Sequence, residues 1–290
     1  MENRILIIIS FILFAFLLES KGQYEFFQEK TNVVIFSGIV THQQSDQLAG
    51  YYGLYVDYLA YKSLDHRFSM GPYGVISRSD QVYQLRNGLN RNLEYGGGLS
   101  LGYYEPNFSF RHQMFLGSSI GITAQKEKQE VIHNDGYFEA WQHDKMLSLS
   151  LNFNLLKLYG IRPDVFHRTQ FQVRYKKPFS ASKIAYWNSS PIETYVWDKT
   201  YLEAMLKQNV YKGQLSYKND IYYSPKLVTY YSYSKGDSRP FYGLGTELSL
   251  FREYQDDFLS LGALYKVSRR FNDNYFIISL NLNIGRMLVY

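Results

Sequence analysis

Apolar and polar side chains alternate one for one in long segments that recur from Val33 to the C-terminus. A period of two puts successive side chains on opposite faces of an extended chain, so each segment reads as a strand with one apolar and one polar face. In the last of them Phe276, Ile278, Leu280, Leu282, Ile284, Leu288 and Tyr290 share one side, and Ser279, Asn281, Asn283 and Gly285 share the other. Arg286 falls on the apolar side near the end, where a long side chain reaches back to a polar boundary. The same period runs through Leu147, Leu149, Leu151, Phe153 and Leu155, and through Tyr52, Leu54, Val56, Tyr58 and Ala60.

Many of these segments keep the alternation for about nine to eleven residues, the length that a tilted strand needs to cross a bilayer. A soluble β-sandwich alternates as well, so the period alone does not name the solvent on the apolar side. Composition bears on the choice. Aromatic residues make up 18% of the chain, with 29 Tyr and 20 Phe, yet the mean hydropathy is only -0.31. A bundle of membrane helices with that aromatic content would be far more apolar. A membrane barrel reconciles the two values, because half of each strand faces lipid and half faces a polar lumen. The chain has no Cys, which excludes disulfide frameworks, thiolate metal sites, a thiol nucleophile and a lipidated cysteine. The net charge of +5 is spread among Asp and Glu without a helix-borne basic stripe, so no nucleic-acid partner is expected.

The segments number about twelve, an even count that returns both ends of a barrel to the same side. With Val33 to Thr41 running outward, six connections are expected as outer loops: His42 to Gly50, Arg78 to Asn90, Gln125 to Trp141, Pro178 to Lys199, Ser234 to Pro240 and Arg270 to Asn274. The inner turns are mostly shorter: Ser63-Leu64-Asp65, Glu105-Pro106-Asn107, Tyr159 to Val165, Lys212-Gly213 and Tyr254 to Asp256. This scheme requires Gln214 to Tyr233 to be one long strand interrupted by Ser224-Pro225-Lys226. Tyr201 to Tyr211 is read as a strand, although Leu202, Ala204, Met205 and Leu206 also fit a helical turn. Gly96-Gly97-Gly98 is expected to ease curvature or a close strand contact rather than to cradle phosphate.

Residues 1–22 carry Arg4, the apolar run Ile5 to Leu18 and the small residues Ser20 and Gly22. This is the pattern of a secretory signal peptide, with cleavage expected before Gln23; an uncleaved anchor is the alternative. The economical reading is a single domain from 23 to 290, an all-β, antiparallel, up-and-down transmembrane barrel. The final strand, ending on the aromatic Tyr290, resembles the C-terminal signature of bacterial outer-membrane β-barrel proteins. The Tyr richness is similar to that of Bacteroidetes-type barrels. The resemblance implies insertion into outer-membrane lipid of a Gram-negative envelope, by assembly machinery that reads the terminal strand.

If the apolar parity meets lipid, the lumen receives Asp57, Glu94, Glu203, Asp220 and Glu247 together with Arg111, Arg174, Lys207, Lys218 and Lys266. Their matched signs predict cross-strand pairing without strong ion selectivity. The outer loops offer Tyr137, Phe138, Trp141, Tyr186, Trp187, Tyr195 and Trp197, for stacking on a partner or for an interfacial girdle. None of the six His lies at metal-ligand spacing, and neither Gly-x-Ser-x-Gly nor a phosphate loop occurs, so no metal or cofactor is expected. Three functions remain open: a narrow channel for a small solute, a non-conducting barrel that docks an envelope protein, and a lipid hydrolase drawing on Ser118, Ser119 or His112.

Overall fold

The structure is a computed structural model of the full chain. It describes residues 31–42, 47–65, 67–83, 88–109, 112–133, 135–158, 166–196, 198–216, 221–235, 239–252, 257–268 and 273–284. Residues 1–22, read from sequence as a signal peptide, and Tyr290, Arg111, Trp197, Lys218 and Asp220 lie outside the described residues.

The elements in chain order are β1 (Thr31–His42), β2 (Gln47–Tyr58), β3 (Tyr61–Lys62), β4 (Phe68–Tyr83), β5 (Gly88–Ser109), β6 (His112–His133), β7 (Gly136–Leu158) and β8 (Phe166–Trp187). They continue as β9 (Ser190–Ile192), β10 (Tyr201–Asn209), β11 (Gly213–Ser216), β12 (Ile221–Ser234), β13 (Arg239–Arg252), β14 (Asp257–Ser268) and β15 (Asp273–Asn283). Every wall strand pairs antiparallel with its chain neighbours, β1 pairs with β15, and β10 joins β8 to β12. The sheet therefore closes as a barrel of twelve strands, with β3, β9 and β11 as short additions to hairpins.

The register fixes the tilt. Starting from Phe171 on β8, the paired positions run through Leu206, Thr229, Leu244, Tyr265, Phe276 and Thr41, then Leu48, Val82, Leu89, Glu130 and Glu139. The circuit returns to β8 at Tyr186, fifteen residues further along the strand. One of those fifteen is the bulge at Phe179, where Lys145 pairs with Ser180 and Met146 with Pro178. A stagger of that size over twelve strands gives a tilt of about 40°.

The face assignments follow the alternation. Ile35, Ile39, Leu99, Leu101, Ile120, Ile122, Leu151, Leu244, Leu261, Ile278 and Leu280 are exposed on the outside. Glycine and serine predominate inside on β5 and β6, where Gly96, Gly98, Ser100, Gly102, Gly117, Ser119 and Gly121 share one face. A Cβ at Gly98 would stand 2.0 Å from the Ile120 carbonyl oxygen, and one at Gly121 would stand 2.4 Å from the Tyr73 hydroxyl. The glycine run thus allows close approach of β4, β5 and β6, with the Tyr73 ring laid over the inner wall.

Two expectations need correction. The stretches Arg78 to Asn90, Gln125 to Trp141 and Pro178 to Lys199 are largely strand, because β5 to β8 are 22 or 23 residues long. At about 3.3 Å per residue they far exceed a hydrocarbon band of roughly 25 Å. The hairpins project beyond the band as a one-sided blade. Backbone pairing persists there although the outward side chains mix charged and polar residues with separate apolar ones such as Ile132, Trp141 and Ile184. At its tip Asn188 and Ser189 adopt φ of 46° and 67°, as a two-residue hairpin turn requires. Asn188 Oδ1 accepts from the Tyr137 amide at 2.7 Å. The second correction concerns the inner end. Gly213 and Gln214 pair with Tyr223 and Tyr222, so one reversal falls between Ser216 and Ile221 and not at Lys212-Gly213, and Ser109 pairs with His112, so another falls past Ser109 and not at Glu105-Pro106-Asn107. Pro225 sits inside β12 without splitting it, and Tyr201–Asn209 is a strand. The Ser63 to Asp65 turn is present, closed by Ser63 Oγ donating to Asp65 Oδ1 at 2.5 Å.

Candidate functional site: the charged lumen

The inward faces of the strands carry a charge network in three tiers. The outer tier is set by residues 193–196 and 198–200, which lie between β9 and β10. Lys199 reaches across β8 to Asp144 on β7 at 2.9 Å and Glu127 on β6 at 2.5 Å. Thr194 Oγ1 donates to the Lys183 carbonyl at 3.5 Å. Ala140, Gln142, Asp144, Met146 and Ala185 on the inner face of the blade are buried. The segment is stapled at its far end, where Lys235 Nζ stands 2.9 Å from Asp198. Hydrogen bonding from Thr200 and then from Lys235 lowers the Asp198 carboxyl to about 2.

In the middle tier Lys176 Nζ donates to Glu94 Oε1 at 2.5 Å. Their strands, β8 and β5, are separated by β6 and β7, so this contact crosses the lumen instead of running along the wall. Arg174 lies 3.6 Å from Glu203, and the Tyr201 and Tyr230 hydroxyls donate to the same carboxylate at 2.6 and 3.1 Å. Lys266 Nζ stacks 3.6 Å from the Tyr230 ring centroid.

The inner tier centres on Lys226, whose side chain is 0% exposed. It donates to Glu247 at 3.3 Å and contacts Asp257 more closely still. Lys207 adds a second cation to Glu247 at 2.5 Å, and Arg168 approaches Asp257 at 3.9 Å. Arg168 and Asp257 sit on β8 and β14, four strand steps apart, or about 19 Å of wall. Ser224, Ser249, Ser260 and Asn209 are buried around the cluster.

Of the lumen candidates read from parity, the structure brings Glu94, Arg174, Glu203, Lys207, Glu247 and Lys266 into this network. Asp57 lies on the inner face of β2, opposite Asn32 in the register. Sequence reading missed Glu127, Asp144, Arg168, Lys176, Lys199, Lys226 and Asp257. Parity holds the signal for most of them, since Arg168 and Lys176 share the even positions of Arg174, and Lys226 shares those of Val228 and Tyr230. The ion pairs join six carboxylates to six cations, so neither sign is left in excess within them.

Tyr137, Phe138 and Trp141 stand on β7 and Tyr186 and Trp187 on β8, in strand and not in loops. Tyr195 lies in the segment after β9 and is 80% exposed. Ser119 and Ser150 share a hydrogen bond at 2.6 Å between their hydroxyls, on the lumen side. Among the described residues no three His, Asp or Glu side chains converge as a metal site.

The translocator domain of the autotransporter NalP from Neisseria meningitidis superposes with a TM-score of 0.54 at 9% identity, covering 93% of this chain and 91% of that one. The β domain of the Bordetella autotransporter BrkA gives 0.53 at 14% identity, over 87% of this chain and 98% of that one. This is the fold of an outer-membrane β-barrel. The transport unit of AIDA-I from Escherichia coli gives 0.50 at 11% identity, over 92% and 93% of the two chains. At these identities the likeness concerns the fold alone. No protein-family model matches the sequence. No curated protein matches it either.

Proposed function

We propose that this outer-membrane barrel is a narrow conduit for small polar solutes, resident in the outer membrane of a Gram-negative bacterium and delivered there by a cleaved signal peptide. The observation that carries the reading is the Lys176–Glu94 crossbar, with the inner Lys226 cluster below it and the Lys199 clasp above. Charged groups that meet across a lumen narrow it. Polar walls of Ser, Asn, Gln and Tyr keep it wettable, and paired charges remove the single-sign field that an ion-selective pore uses. Folding would begin with assembly machinery engaging the C-terminal strand.

Refolded mature protein in a planar bilayer is expected to give small conductance steps with weak preference between cations and anions. The Glu94→Gln, Lys176→Gln double variant should enlarge the steps, because it removes the crossbar without altering the wall. A silent bilayer, together with liposomes that take up no sugar or amino acid, would overturn the conduit. That result would favour a non-conducting barrel that docks an envelope protein, which should then co-purify in mild detergent. A hydrolase has less to draw on. Ser118 occupies an outward position within the apolar band, and Ser119 is hydrogen-bonded to another hydroxyl.

A further inference from the structure

We propose that the outer face of β5 to β8 carries a binding site for the phosphate groups of a phosphorylated glycolipid of the outer leaflet. On these four consecutive strands the apolar band gives way after Leu93, Ala124, Leu147 and Tyr175, with only separate apolar residues such as Ile132, Trp141 and Ile184 further out. The next outward residue on each is a cation: Arg91, Lys126, Lys145 and Lys177. All four are exposed.

The register brings them toward one level. Arg91 pairs with Lys128, and Lys126 sits two residues nearer the membrane than that partner. Lys126 pairs with His143, and Lys145 again sits two residues nearer. Lys145 pairs with Ser180, and Lys177 lies three residues nearer with the bulged Phe179 between them. A line of constant depth must descend from β5 to β8 in this sense, by a little over one residue per strand for the observed stagger. The remaining slope leaves the four cations within roughly 6 Å of a common plane. Scattered solubilising charges would have no reason to follow the tilt.

Charge balance points outward as well. Lys128, higher on the blade, is held by Glu130 at 2.7 Å and Glu139 at 3.0 Å. Among the described residues, no carboxylate lies within ion-pair distance of Lys126, Lys145 or Lys177. Lys126 instead lies 5.7 Å from the Tyr95 ring centroid, at the upper edge of the apolar band. Three lysines and an arginine at headgroup height, above a greasy surface that takes acyl chains, suit a lipid with several phosphates. This inference does not depend on what passes through the lumen.

The test titrates detergent-solubilised, folded mature protein with bis-phosphorylated lipid A and, separately, with its dephosphorylated form, counting bound lipid by native mass spectrometry. The phosphorylated lipid is expected to bind, and Lys126→Gln with Lys145→Gln should weaken it about tenfold or more. Lys62→Gln at the opposite rim should leave binding unchanged, and heat-modifiable gel mobility should show every variant folded. Equal affinity for the dephosphorylated lipid, undiminished binding by the double variant, equal weakening by Lys62→Gln, or release of lipid by inorganic phosphate would each overturn the proposal.

Discussion

Lys226→Met is expected to lower the unfolding free energy by about 3–5 kcal/mol, the cost of leaving buried carboxylates without their cation. The Lys226 ammonium bridges Glu247 and Asp257, and its side chain is wholly enclosed. Methionine fills much of the same volume but supplies no charge, so both carboxylates must find protons or water beside an enclosed apolar side chain. Lys207 and Arg168 then hold the two acids from one side only. Urea unfolding of protein inserted in lipid vesicles reads the effect as a fall in midpoint. Lys235→Gln breaks the exposed, solvent-screened pair with Asp198 and should leave the midpoint nearly unchanged. Similar losses in the two variants would mean that water already screens Lys226 and its two carboxylates.

Gly98→Val should have the second large effect, a loss of about 4 kcal/mol or failure to fold. The obstacle at Gly98 is backbone and cannot rotate away, since a Cβ there meets the Ile120 carbonyl at 2.0 Å and the Gly121 Cα at 2.4 Å. Accommodating valine requires β5 and β6 to part where the glycine-rich patch curves the wall, and the ladder between them is then broken locally. Gly50→Ala is the matched control, because a Cβ at Gly50 meets nothing within 4 Å. It should stay within about 0.5 kcal/mol of the parent. The folded fraction on unheated gels measures both.

The barrel was legible in the sequence wherever the two faces of a strand meet different solvents, as at Leu147 to Leu155 or Phe276 to Leu282. The blade was not legible. Above the band both faces of β6 are polar, with Lys126, Lys128 and Glu130 outside and Gln125, Glu127 and Gln129 inside, so the period of two disappears from hydropathy while the hydrogen-bonded ladder continues. Lumen charges could be read from parity, but their partners could not. Glu94 and Lys176 are 82 residues apart in the chain and meet only because three successive hairpin registers and the curvature of the wall bring β5 and β8 to one level. Lys226 was hidden by its neighbour Pro225, which reads as a break in the strand. In the barrel the chain extends past that break, with the Pro225 carbonyl accepting from the Val210 amide at 2.9 Å.

Lipid on the outside of the wall is the premise beneath the lumen, the blade and the headgroup site. Fractionation of expressing cells, followed by gel electrophoresis of heated and unheated membrane samples, tests it most directly. The mature chain should sediment with the outer membrane, require detergent for extraction, and run with a different mobility when unheated. Recovery as a detergent-free monomer in the aqueous supernatant, with one mobility regardless of heating, would contradict it.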